Sequence, residues 1–198
     1  MNFNFNQPGV FAPGINIYHM TKIRVTKAFE FEMAHALLNY DGLCKNIHGH
    51  SYKLFVTVIG TPAPINLRNP KQGMVVDFGL LKKTVEERVL STLDHALVLN
   101  REVAWEKLQT LGQMFDKMFI VKYQPTAENI AADIAQVLLK NLPSNLALHT
   151  VKLYETADSY VEWCAADQPQ TKTADAEPGM KMPHIDPKKL KKDAEPKS

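Results

Sequence analysis

An α+β fold in which antiparallel strands flank helices is what the sequence predicts, and three features predict it. Apolar and polar residues alternate over residues 22–35 and again over 48–60, with a turn-rich loop between the two runs. The middle of the chain changes to helical spacing, and the last patterned stretch returns to alternation. Period-two alternation marks half-buried strands, whereas recurrence at three and four residues marks one buried face of a helix. At 198 residues, with 45% hydrophobic and 22% charged residues, the chain fits one domain able to bury a sizeable core.

Residues 1–20, rich in Asn, Phe, Pro and Gly without periodicity, read as an N-terminal extension, and the ordered domain is expected over 21–165. The first strand carries Ile23, Val25, Phe29, Phe31, Met33 and His35 on one face. The loop Asn39-Tyr40-Asp41-Gly42 then delivers Cys44, and the second strand alternates Tyr52, Leu54, Val56 and Val58. An antiparallel pair follows. Gly73 to Asp77 reads as a short strand whose Asp77 caps a helix with apolar positions Leu80, Leu81, Val85, Val89 and Leu93. A second helical pattern, Trp105, Leu108, Leu111, Phe115, Met118 and Phe119, is expected to pack in the core. A third helix starts after Pro125, with Thr126 as N-cap and Glu128 in the first turn, where a carboxylate suits the free amides and the dipole. The last strand sets Val151, Leu153 and Glu155 against Lys152 and Tyr154 and continues through Tyr160 to Trp163.

The net charge of +2 resides in the tail, because residues 168–198 hold seven lysines against five acids. Mixed with five prolines, these charges predict a disordered Lys/Pro-rich tail over 166–198. The balanced remainder carries no nucleic-acid footprint. No apolar run reaches bilayer length, and the N-terminus does not read as a signal peptide. Cys44 and Cys164 are the two cysteines, too few for a disulfide framework. The expected compartment is the cytoplasm, with no membrane partner.

Chemistry concentrates in Cys44-Lys45-Asn46-Ile47-His48-Gly49-His50. Residues two apart on a strand share a face, so His48 and His50 can offer two imidazoles to one ion. Catalytic zinc commonly takes three protein ligands and keeps one position open, and His35, at the end of the neighbouring strand, is the candidate third. Cys44 is either a further ligand or a reactive thiol beside the metal. Glu155 is out of pattern. A carboxylate on the face of Val151 and Leu153 needs a cation, a ligand or solvent to offset its desolvation.

Six motifs together resemble the 6-pyruvoyl-tetrahydropterin synthase and 6-carboxy-tetrahydropterin synthase family. They are Phe31-Glu32-Met33-Ala34-His35, Cys44-x-x-x-His48-Gly49-His50, Gly73 to Phe78, Leu93-Asp94-His95, Pro125 to Asn129 and Val151 to Thr156. The resemblance implies the tunnelling fold (T-fold), an antiparallel four-stranded sheet with two helices on one face, here with an extra helical insertion around 101–123. It also implies a homohexamer, a dimer of trimers, with sites at subunit interfaces. The C-x3-H-G-H spacing resembles the bacterial carboxy enzymes of queuosine synthesis rather than the C-x5-H-G-H pyruvoyl enzymes. The implied reaction converts 7,8-dihydroneopterin triphosphate to 6-carboxy-5,6,7,8-tetrahydropterin with release of acetaldehyde and triphosphate.

The same resemblance implies zinc on His35, His48 and His50, with Cys44 abstracting a proton and Asp94 and His95 exchanging protons opposite. Adjacent residues do not usually face each other, so Asp94 and His95 could pair with different partners. Glu155 would anchor the pterin N–H groups and join the proton relay, with Thr126 and Glu128 completing the pocket. A pyruvoyl synthase or other pterin side-chain lyase, and a non-enzymatic zinc-stabilised module, are the alternatives.

Overall fold

A computed structural model describes residues 21–169, so the expected N-terminal extension and nearly all of the expected tail lie outside the described residues. Two long strands, β1 (Ile23–His35) and β2 (His48–Gly60), pair antiparallel along their whole length, with Phe29 opposite Leu54, Phe31 opposite Tyr52 and His35 opposite His48. Strand β2 then pairs antiparallel with β5 (Ala147–Tyr154), and β5 with β6 (Tyr160–Cys164), which gives the expected four antiparallel strands.

The helices cover one face of this sheet. Helix α1 (Phe78–Val85) continues through a π-helical turn (Glu86–Leu90) into a last short turn, α2 (Ser91–Leu93), and α4 (Ala127–Asn141) lies beside it. Leu81, Val85, Val89 and Leu93 from the first and Ile130, Ala131, Ile134 and Leu138 from the second join Phe31, Tyr52, Leu54, Val56, Val58 and Leu153 in one buried core. Each large apolar side chain fully buried there contributes about 1.5–3 kcal/mol of transfer free energy. Asp77 caps α1 by accepting from the Gly79 amide at 2.7 Å, and Thr126 caps α4 by accepting from Asn129 at 3.4 Å.

The sheet differs from expectation by two strands. Its order is β4-β3-β1-β2-β5-β6, with β3 (Ala96–Asn100) parallel to the end of β1 and β4 (Met118–Val121) parallel to β3. The insertion is therefore only partly helical. Helix α3 spans Trp105–Met114 and buries no residue fully, while Met118 and Phe119, expected on a helix, belong to β4. Their burial on adjacent positions has a physical cause: Phe119 faces the main core, and Met118 joins Leu97 and Leu99 on the other face under Leu108 and Leu111 of α3. Phe115 is exposed.

Two further expectations are corrected. Gly73 to Asp77 forms turns and bends rather than a strand, because Gly73 has φ +76 and the Met74 amide bonds back to the Lys71 carbonyl while Ala63 is the segment's partner across the loop. Pro62 and Pro64 flank that residue and have no N–H with which to extend a ladder. The final alternating run is likewise a hairpin rather than one strand, since Thr156, Asp158 and Ser159 bond among themselves and turn the chain.

Candidate active site

Strand register assembles a histidine cluster at the end of the sheet where α4 begins. His35, His48 and His50 share the helix-bearing face by alternation, and one ring nitrogen from each lies within 4.8 Å of the others. His35, only 2% exposed, donates from Nδ1 to the Pro125 carbonyl at 2.7 Å. His48 donates from Nδ1 to the Asn46 carbonyl at 2.8 Å. A carbonyl accepts only, so in both rings Nδ1 carries a proton, and in a neutral ring Nε2 presents a lone pair.

Those two Nε2 atoms are 3.1 Å apart, and the Nε2 of His50 is buried with no hydrogen-bond partner. Converging lone pairs repel unless a cation lies between them. Burial holds the His35 imidazole below its ordinary value, with the charges of His48 and His50 acting in the same sense against the raising effect of the Pro125 carbonyl and Glu155. The donor set suits zinc. Three imidazoles, with Nδ1 of two of them held by carbonyls, are one of the three-ligand sets of open catalytic zinc sites, and ligands about 2.0–2.1 Å from a tetrahedral ion stand about 3.3 Å from one another.

Glu155 follows the last residue of β5 and turns into this cluster. Its Oε1 lies 3.5 Å from His35 Nε2 and 3.7 Å from His50 Nε2, and it accepts from the Tyr52 hydroxyl at 3.1 Å. Burial, and then the adjacent Glu155 charge, push the Tyr52 phenol upward, so the hydroxyl stays a donor. Tyr52 was not singled out from sequence. The signal was present, because His48, His50 and Tyr52 occupy successive positions of one strand face. The carbonyls of Pro125 and Asn46 had no such signal.

Cys44 sits half-buried on the short turn Leu43–Lys45 and is not one of the three residues whose ring nitrogens converge. Asp94 and His95 do pair with each other: Asp94 Oδ1 accepts from His95 Nδ1 at 2.8 Å and from the Glu32 amide at 3.1 Å. A left-handed backbone at His95, φ 58, makes this neighbour contact possible. The Lys117 ammonium donates to the Asp94 carbonyl.

His95 is exposed and lines a cavity of about 640 Å³ between β1, β2 and residues 114–117. Glu32, Ala34, Gly49 and Ser51, which alternation puts on the sheet face opposite the histidine cluster, line the same cavity, and so does His50 of the cluster itself. The hydrogen bonds of His95 go to Asp94 and to the Glu32 carbonyl rather than to the cluster. Thr126 caps α4 and Glu128 stands in its first turn, next to the carbonyl that holds His35; Thr126 is half-buried and Glu128 exposed.

The fold and these motifs have known relatives. The model of the 6-pyruvoyl tetrahydropterin synthase family matches residues 24–165. The chain is 36% identical over 142 residues to the 6-carboxy-5,6,7,8-tetrahydropterin synthase of Haemophilus influenzae, covering 71% of this chain and 97% of that one. It is 32% identical over 136 residues to the protein of the same name from Synechocystis, covering 68% and 88%. The solved 6-pyruvoyl tetrahydropterin synthase of Caenorhabditis elegans superposes with a TM-score of 0.52 at 25% identity, over 73% of this chain and 96% of that one. The histidine cluster, the T-fold sheet with its two covering helices and the extent of these matches lead to one conclusion: the chain belongs to the 6-pyruvoyl tetrahydropterin synthase family of enzymes.

Proposed function

We propose that the chain is a zinc-dependent lyase converting 7,8-dihydroneopterin triphosphate to 6-carboxy-5,6,7,8-tetrahydropterin, with release of acetaldehyde and triphosphate, on the route to queuosine. The observation that carries this reading is the convergence of His35, His48 and His50 beside Glu155, in a chain 36% identical to a protein of that name. The C-x3-H-G-H spacing at Cys44 to His50 favours the carboxy over the pyruvoyl product.

Zinc bound by the three histidines would supply a Lewis acid toward the side-chain oxygens of the substrate. Cys44 takes up a proton from the substrate side chain. Glu155 accepts from the 2-amino and ring N–H groups of the pterin, two adjacent donors that an acceptor-only carboxylate matches. Tyr52 keeps that carboxylate oriented by donating to Oε1. Asp94 fixes His95 with its proton on Nδ1, which leaves Nε2 as the atom that exchanges protons.

His95 is held beside Glu32, whose side chain lies on the sheet face opposite the histidine cluster, and it acts in a site shared with a second copy. A homohexamer, a dimer of trimers, meets that need, and Thr126 and Glu128 then close the pterin pocket across the subunit boundary. The reaction belongs in the cytoplasm; no helix among the described residues is long and apolar enough to cross a membrane.

Incubating the zinc-loaded protein with dihydroneopterin triphosphate and identifying the pterin product tests the reading. A 6-carboxy product supports it, a 6-pyruvoyl product moves the chain to the sister activity, and zinc binding without any pterin turnover leaves a zinc-stabilised binding module.

A further inference from the structure

We propose that Gln124 is a positioning residue that holds the Cys44 loop against the histidine cluster. The inference rests on the assignment of Cys44 to proton transfer. A single side-chain amide occupies both polar groups of one backbone residue: Gln124 Nε2 donates to the Leu38 carbonyl at 2.7 Å, and Gln124 Oε1 accepts from the Leu38 amide at 3.0 Å. The two residues are 86 positions apart, so this contact ties the loop after β1 to the segment before α4. The neighbouring Leu37 amide donates to the Cys44 carbonyl at 2.9 Å, which closes the loop and passes the restraint to the cysteine.

The other end of the clasp is fixed as well. The Gln124 carbonyl accepts from the Thr126 amide at 2.7 Å and from Asn129 Nδ2 at 2.9 Å, both at the start of α4. The next carbonyl, that of Pro125, holds His35. One dipeptide thus anchors a metal-ligating histidine through its backbone and the cysteine loop through its side chain. Only a primary amide offers a donor and an acceptor in the arrangement that a backbone N–H and C=O require; a carboxylate would set an acceptor against the Leu38 carbonyl, and a hydrocarbon would leave both groups unmet. The hydrogen bonds of Gln124 go to Leu38 and the start of α4 rather than to the cluster or the thiol, so it acts through Leu38 and Leu37.

The test uses the full-length, zinc-loaded protein with Gln124→Met, and Gln124→Glu as the variant that keeps the acceptor for the Leu38 amide. Displacement of a reacting group by about 1 Å can lower a rate by about a hundredfold. The expected result is a fall in kcat of about tenfold to a hundredfold, with KM and zinc content little changed. The second readout does not need turnover: alkylation by iodoacetamide should accelerate at Cys44, freed from its loop restraint, with Cys164 on β6 unchanged as internal reference. Unaltered alkylation of Cys44 in either folded variant, or equal acceleration at both cysteines, overturns the proposal. If Cys44→Ala retains turnover, the proton-transfer assignment fails, whereas the alkylation comparison still decides whether Gln124 holds the loop.

Discussion

Glu155→Gln tests the anchoring role proposed for that carboxylate with little disturbance of the fold. The amide has the same shape, and its oxygen can still accept from Tyr52, which now does so at 3.1 Å. What changes is the charge and one acceptor, which becomes an NH2 donor. With a pterin presenting two N–H donors, the variant sets donor against donor in a site whose walls include His35, 2% exposed, and Tyr52, fully buried. A mismatched polar contact in such surroundings costs about 1–3 kcal/mol, and at 1.4 kcal/mol per factor of ten this is roughly tenfold to a hundredfold in affinity. Zinc should be held almost as before, since the atoms proposed to hold it belong to the three histidines. Calorimetric titration of the zinc-loaded variant with a non-reactive pterin measures the loss directly. Unchanged pterin affinity, with zinc occupancy and assembly intact, would refute the anchoring role and leave Glu155 to orient Tyr52 and the imidazoles alone.

Three other outcomes follow from the same geometry. His48→Ala or His50→Ala should lose zinc and activity together, since two imidazoles hold the ion weakly at an open site; full metal occupancy in a folded His48→Ala protein would remove His48 from the ligand set. Cys44→Ala should keep zinc and bind pterin while turnover stops, and loss of zinc in this variant would make Cys44 a ligand. The zinc-free protein should lose stability on acidification: the folded pKa of His35 is depressed, so below the unfolded value of 6.5 the unfolded chain binds the proton and the folded chain does not. The contribution of this group is complete above 6.5 and falls by up to about 1.4 kcal/mol per pH unit until the folded pKa is reached. Denaturant melts between pH 7.5 and 5 check this, and a midpoint that does not move, or an equal slope in His35→Gln, would contradict it.

The parts of the fold legible in the sequence are those with one wet face. Strands β1 and β2 alternate because the helices bury Phe29, Phe31, Tyr52 and Leu54 while the other face carries Glu30, Glu32, Ser51 and Lys53. The same alternation puts His35, His48 and His50 on one face. Strand β3 was hidden for the opposite reason: Ala96, Leu97, Val98 and Leu99 are all buried, packed under the main helices on one side and near α3 on the other, so no period of two survives. Met118 and Phe119 of β4 mimicked a helical stripe on the same account.

The candidate site divides in a similar way. Side-chain ligands could be read from residue type and spacing, whereas the carbonyls of Pro125 and Asn46 that fix two of the rings could not, since every residue carries a carbonyl. The pairing of Asp94 with His95 depends on one left-handed backbone angle, which the sequence around a non-glycine residue does not announce. The turn at Thr156 to Ser159 ends β5 just before Glu155, and only the register of β5 against β2 brings that carboxylate to Tyr52.

The most direct test is a titration of the metal-free protein with zinc, following release of acetaldehyde from 7,8-dihydroneopterin triphosphate at each addition. Acetaldehyde and 6-carboxy-5,6,7,8-tetrahydropterin should form together, rise in proportion to zinc bound up to one ion per chain, and vanish when His50 is replaced by alanine. Turnover by zinc-free protein, or a full complement of zinc with no acetaldehyde released, would contradict the zinc-dependent lyase reading.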